Sequence, residues 1–330
     1  MTTRWALSSL VLLATLTPAS AANPCKAACK STKAGCTTAA GSAFATAKAA
    51  CKQTFKGCIA ACPKSGGGGP PTSSCNASGA AGWLAALNLY RSLAGLPAVV
   101  EDPTLSAGDL AHAKYVVRND VIGHSEDAGK PGYTDEGNLA ASRSNVAAAS
   151  QSTMTETGPI DLWMRGPYHA IGILDPTLTR VGFGIAHDSS GSIQSGAALD
   201  VLTGRSGSTA GVSFPILFPG DGTRVPLDRY DGTENPDPLA GCPGYSVPTG
   251  LPLIVQLPPN VAPNVTSSSV TRDGAAVEHC VFAGSPSDSL GSRRAVVIIP
   301  KDVLRKGATY QATLGVGGET YAWSFSLACQ

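Results

Sequence analysis

Six cysteines crowd the start of the chain, at Cys25, Cys29, Cys36, Cys51, Cys58 and Cys62, and their spacing reads the same in both directions. In two antiparallel helices joined by a tight turn, facing positions have a constant index sum. Cys25 with Cys62, Cys29 with Cys58 and Cys36 with Cys51 meet that condition. Steps of four and seven residues also keep the cysteines of each arm on one helix face. Ala and Lys fill most positions between them, and Gly41-Ser42 lies near the midpoint. The pattern predicts a helical hairpin over 22–62, stapled by these three pairings. So short a segment buries little core, and the staples replace it. A metal cluster is the competing reading, but it lacks an adjacent histidine and a matched knuckle spacing on both sides.

Disulfides need an oxidising compartment, and the first residues supply the route to one. Arg4 gives a positive n-region, Trp5 to Leu16 a short apolar stretch, and Ala19-Ser20-Ala21 a small-x-small cleavage pattern, so 1–21 reads as a signal peptide. Pro24 before Cys25 does not suit a lipoprotein site, and no later stretch approaches the roughly 20 apolar residues of a membrane span. The expectation is a secreted chain, extracellular or in the cell envelope, with no transmembrane anchor. Its ten cysteines then form five disulfides.

Charge divides the chain unevenly. Seven lysines and no acid lie between Asn23 and Lys64, whereas the remainder of the mature chain carries more acids than bases. The basic hairpin could hold an anionic envelope polymer or lipid head groups; the alternative is a solvated face on a folding cap. The near-neutral total of +1 argues against a nucleic-acid partner. A Gly/Pro/Ser-rich linker follows over 63–75.

Beyond it, Trp83, Leu84, Leu87, Leu89 and Leu93 recur at near-helical spacing and stop at Gly95 and Pro97. A second helix is expected from Asp102-Pro103 to Asn119, and a third from Gly158 to Met164. Val181 to His187 and Ala197 to Thr203 read as strands. Helices first and strands after suggest an α+β layered fold.

These segments carry a resemblance. A Leu-Asn-Leu-Tyr-Arg helix is followed by a helix ending in Gly123-His124-Ser125, then Tyr133-Thr-Asp-Glu-Gly137. Trp163-Met164, Tyr168-His169, Leu174-Asp-Pro176 and Val181-Gly-Phe-Gly184 complete the order. The set resembles the CAP superfamily (SCP domain), which includes cysteine-rich secretory proteins, antigen five, pathogenesis-related proteins and bacterial relatives, here of bacterial type. The resemblance implies a domain over 76–205 with an α-β-α sandwich and a shallow cleft of two histidines and one or two glutamates. It places His124 and His169 as the histidines and Glu136 as the first glutamate. The second glutamate would follow a tryptophan, but Trp163 is followed by Met-Arg-Gly-Pro. His124 and His169 would be the ligands of a divalent metal such as Zn²⁺, with an open position left by the incomplete shell. His112, His187 and His279 read as structural, and Glu126 as a cleft-rim residue.

After a Pro/Gly-rich connector at 206–241, short apolar runs alternate with turns to the end of the chain. Leu251 to Leu257, Ser267 to Thr271, Val277 to Ala283, Ala295 to Ile299, Thr309 to Val316 and Thr320 to Leu327 are the expected strands. Lys306-Gly-Ala-Thr-Tyr and the Trp323-Ser-Phe-Ser ending resemble bacterial immunoglobulin-like modules, which implies a β-sandwich over 242–330. Cys242 and Cys280 are expected to pair within it, leaving Cys75 for Cys329. Spacing alone does not fix that connectivity.

No G-x-S-x-G elbow, P-loop, dinucleotide fingerprint or His-Glu-x-x-His pair is present. Three functions stay open. One is a non-catalytic extracellular binding protein for a lipid, sterol or envelope component. The others are a metal-assisted hydrolase at the His/Glu cleft, and a surface adhesin or matrix protein.

Overall fold

A computed structural model describes residues 78–285 and 287–328. The leader, the cysteine hairpin and the linker lie outside the described residues, as do Cys75 and Cys329. The described residues belong to one compact unit. Among the described residues no helix is long and apolar enough to cross a membrane.

The first part of the unit alternates helices with a small sheet. Helix α1 (Trp83–Leu93) leads to strand β1 (Val100–Glu101) and helix α2 (Pro103–Asn119). Helix α2 starts where the sequence signals it. Pro103 occupies the first turn, and the Asp102 carboxylate accepts a bond from the Thr104 amide at 3.0 Å. Helix α3 (Asp135–Ala141), strand β2 (Ser144–Ala149), helix α4 (Thr157–Trp163) and helix α5 (Pro167–Ile173) follow, then β3 (Arg180–His187) and β4 (Ser195–Asp200). The sheet order is β1-β3-β4-β2, with β1 parallel to β3 and the other pairs antiparallel.

Gly182 and Gly184 decide how α2 packs. A Cβ on Gly182 would strike the Leu105 backbone, and one on Gly184 would strike the Leu110 backbone, so only glycine lets α2 lie directly on β3. The alternate residues of β3 face the opposite side, where Phe183 stacks on Trp83 of α1 with ring centroids 5.0 Å apart.

Helix α1 carries a buried cation. Arg91 is fully buried and donates to four carbonyls: Pro97 (2.8 Å), Ile173 (2.7 Å), Asp175 (3.0 Å) and Leu178 (3.2 Å). Burial pulls its guanidinium down to about 10, partly offset by the charge of Asp175. The neighbouring Tyr90 hydroxyl donates to Asp161 of α4 at 2.6 Å.

The second part is strand-rich. Strands β5 (Ile216–Phe218) and β6 (Thr223–Val225) lie within the expected connector, followed by the β7 (Arg229–Tyr230) and β8 (Thr249–Gly250) pair. Then come β9 (Leu253–Gln256), β10 (Val265–Arg272), β11 (Ala275–Ala276), β12 (His279–Ala283), β13 (Ala295–Pro300), β14 (Thr309–Val316) and β15 (Glu319–Leu327). One sheet runs β11-β10-β14-β15-β6, the other β12-β13-β9-β5. The connector therefore contributes an edge strand to each. Cys242 and Cys280 form the expected disulfide, with Cα atoms 5.7 Å apart.

Burial separates the two sheets. In β14 exposed and buried residues alternate at first, as expected for a strand with one wet face. In β9 and β13 every residue is buried, so both faces of that sheet are covered. The second cover is the helical part of the chain. Phe218 meets Tyr90 edge-on at 6.1 Å, the Gly220 amide donates to Leu93 at 2.9 Å, and Gln256 donates to Leu174 at 2.8 Å. One hydrophobic cluster of buried residues reaches from Ala86 to Leu327, and Ala113, Val117 and Ala186 form a second, smaller one.

Helix α5 and strands β1 and β5 to β8 form at positions with no sequence expectation of them, and two further elements differ from what is expected there. The 133–138 turn continues into α3, because the Thr134 hydroxyl caps it by accepting from the Gly137 amide at 2.9 Å. Strand β2 (Ser-Asn-Val-Ala-Ala-Ala) has little strand propensity and forms because its six residues pair with β4.

Two stability predictions follow from the buried ions. Replacing Arg91 with Met leaves buried carbonyls without donors and should cost about 3 kcal/mol or more, read from urea midpoints. Asp109 on α2 is raised to about 7 by burial, against the opposing bonds from the Ser144 hydroxyl (2.6 Å) and the Asp200 amide (3.1 Å). Its folded value lies above the unfolded one, so its contribution is full below about pH 4 and is lost as pH rises through about 7. Wild type should lose more thermal stability between pH 5 and pH 8 than Asp109→Asn does; equal losses would refute the assignment.

Candidate functional site

Each expected cleft residue sits at a helix end or in a loop. His124, in the loop after α2, is exposed, and its Nδ1 donates to the Ala141 carbonyl at the end of α3 at 3.1 Å. Glu136, in the first turn of α3, is exposed as well. His169, in the first turn of α5, is partly buried, with a side chain 20% exposed.

His169 is held by a residue that its own segment does not contain. The Glu234 carboxylate, 1% exposed, accepts from its Nδ1 and its backbone amide, both at 2.8 Å, and from the Tyr168 amide at 3.1 Å. One carboxylate thereby satisfies two amides at the start of α5 and fixes the tautomer of the imidazole. Gly166 makes the approach possible, since a Cβ there would overlap the Glu234 carboxyl group. The Tyr230 hydroxyl accepts from the Glu234 amide at 3.3 Å. Glu234 thus reaches the start of α5 from the 206–241 segment. Sequence reasoning missed it because nothing local marks Glu234 among the prolines and glycines around it.

A second histidine–glutamate pair lies inside the fold. His112 of α2 is fully buried, with Nδ1 2.9 Å from Glu126 Oε1 and Nε2 3.0 Å from the Gly123 carbonyl. Glu126 also accepts from the Thr134 amide at 3.2 Å, and Asn138 accepts from the Glu126 amide at 2.8 Å. His112 is structural, as its helical position suggests. Glu126 is buried beneath the loop and does not lie on a cleft rim.

The donor set decides what these groups can hold. Among the described residues no three His, Cys, Asp or Glu side chains are placed to hold a metal ion. His124 and His169 each commit Nδ1 to an oxygen acceptor, the Ala141 carbonyl and the Glu234 carboxylate, which orients the ring.

Two concavities lie along α2 and β3. One cleft of about 380 Å³ is lined by Trp83, Phe183, Leu110 and Ile185, with Glu101 and Glu156 among its other walls. A second, of about 600 Å³, is bordered by Leu110, Val117, Ile185 and Ala186, with Lys114, Arg118 and His187. Leu110 and Ile185 belong to both, so the two adjoin. Beside them, β1 pairs with Arg180 and Val181, and among the described residues no strand flanks the later part of β3 on that side.

Glu234→Ala should destabilise the fold by about 2 kcal/mol or more, because it removes an acceptor shared by two amides and an imidazole. Gly166→Ala should reproduce the loss by displacing the same carboxylate, and combining the two should cost less than their sum. Denaturant midpoints of the three variants check this; full additivity would show that Gly166 acts on something else.

A search among curated proteins returns no match. Residues 84–196 match the family model for CAP, the cysteine-rich secretory protein family, a span from the start of α1 to the start of β4, which supports the CAP superfamily for this part of the chain.

Proposed function

We infer that the chain is a secreted, non-catalytic binding protein whose ligand is a lipid lying along the α2–β3 groove. The carrying observation is the pair of adjoining clefts sharing Leu110 and Ile185. Their apolar side chains would cover an acyl chain or sterol body, with Trp83 and Phe183 forming an aromatic end. Lys114 and Arg118 are exposed at the other end, where an anionic head group would sit. The signal peptide and the stapled hairpin expected from the sequence support an activity outside the cell, where the lysine-rich segment would make a second contact to an anionic envelope surface. The strand-rich C-terminal part is read as an immunoglobulin-like spacer.

Titration of purified protein with vesicles containing an anionic phospholipid tests this. Binding should quench Trp83 fluorescence, with Trp83→Phe as the control. Lys114→Glu with Arg118→Glu should weaken binding to anionic vesicles about tenfold, and raised salt should act in the same direction. Binding that ignores both charge reversal and salt would sink the head-group assignment. The hydrolase alternative is checked with the same preparation: zinc retained by wild type and lost in His124→Ala, His169→Ala would displace the binding reading.

A further inference from the structure

A different concavity lies where the helical part meets the four-stranded sheet, independent of the α2–β3 groove. Its volume is about 300 Å³, and three arginines line it: Arg205, Arg293 and Arg294. Asp175 is the one acid among its walls. Burial alone would raise Asp175, but the charge of Arg293 and bonds from Thr177 and Arg293 outweigh it and hold its carboxyl below the usual range. Arg293 and Arg205 face this carboxylate at 2.8 and 3.5 Å, and Arg294, whose Nη1 donates to the Val261 carbonyl at 3.4 Å, lines the same cleft, a local excess of positive charge.

These arginines are positioned before any ligand arrives. Arg293 Nε lies 3.0 Å from Asp175 Oδ2, and its Nη1 donates to the Ser289 carbonyl at 3.1 Å. Arg205 donates through Nε to the Leu202 carbonyl at 3.2 Å and keeps Nη1 3.5 Å from Asp175. Arg294 sits in the left-handed region, with φ 51°, at the end of a short 3-10 turn. Asp175 itself is anchored, since its carbonyl accepts from buried Arg91. A pre-ordered guanidinium loses little freedom when it binds, and it pairs with a carboxylate through two parallel bonds.

The remaining walls restrict the ligand further. Phe214, Pro176 and Pro259 offer apolar surface, and Thr177, Ser292 and Gln256 offer hydroxyl and amide groups. The Thr177 hydroxyl donates to Asp175 at 2.6 Å, which leaves its oxygen able to accept from a ligand hydroxyl. A volume near the low end of ligand pockets (~300–1,000 Å³) suits one ring. We propose that this cleft binds an acidic sugar ring, its carboxylate on Arg205 and Arg294 and its C–H face against Phe214.

Calorimetric titration of the full chain with D-glucuronate, D-glucose and inorganic phosphate tests the assignment. Glucuronate should bind at least about tenfold tighter than glucose or phosphate. Arg205→Gln with Arg294→Asn should weaken it about tenfold or more while leaving the thermal midpoint in place. Should that pair fail to fold, Arg205→Gln alone, at a side chain 41% exposed, carries the test with a loss of several-fold. Equal binding of glucose would show that the carboxylate is not read. Equal binding of phosphate would show that the ring is not read. Glucuronate binding unchanged in the variants would place it elsewhere on the chain. Each of these three results overturns the proposal.

Discussion

Arg91 is the interaction on which the two parts of the unit depend. It projects from α1 into a fully buried site and directs its donors to carbonyls from Pro97 and from the 173–178 turn. A buried guanidinium is tolerated only when its donors are met, so the chain must bring those carbonyls together. That requirement fixes the turn between α5 and β3. The same turn presents the Leu174 carbonyl to Gln256 and the Asp175 carboxylate to Arg293, both from the strand-rich part. One cation therefore sets the geometry of the junction as well as the packing of α1.

The junction is reciprocal. The helical part covers one face of the β12-β13-β9-β5 sheet, which is why β9 and β13 can be apolar throughout. In return, the 206–241 segment sends Glu234 back to the start of α5, where it satisfies two amides and orients His169. Gly166 and Gly220 mark the two closest approaches, each where a side chain would collide with the opposite partner. Neither half has a complete surface of its own. The ring of His169, a residue inside the family match, is oriented by a residue outside it.

The candidate sites take their character from this arrangement. The α2–β3 groove follows from two glycines that bring a helix onto a strand, together with a short β1 that pairs with the start of β3 alone. The arginine-lined cleft exists because Arg205 and Arg293, far apart in sequence, converge on Asp175, with Arg294 also in its wall. Electrostatics at the two places differs accordingly. The groove is apolar with charged ends, and the cleft is cationic with one fixed acid.

Local signals determined a good deal by themselves. Helices α1 and α2 were legible from apolar spacing and from Asp102-Pro103, and the strands β3, β9, β10 and β12–β15 from apolar runs between turns. The Cys242–Cys280 pair was legible from its place in the C-terminal part, and the order of short motifs pointed to the CAP superfamily. Tertiary structure alone decided β2, whose alanines become a strand only through pairing with β4, and the role of Glu234, whose neighbours carry no signal. It also decided that Glu126 turns inward to His112. The physical reason is the same in each case. Periodicity and capping act over a few residues and can be read along the chain, whereas a buried carboxylate or a propensity-poor strand is fixed by a partner tens of residues away.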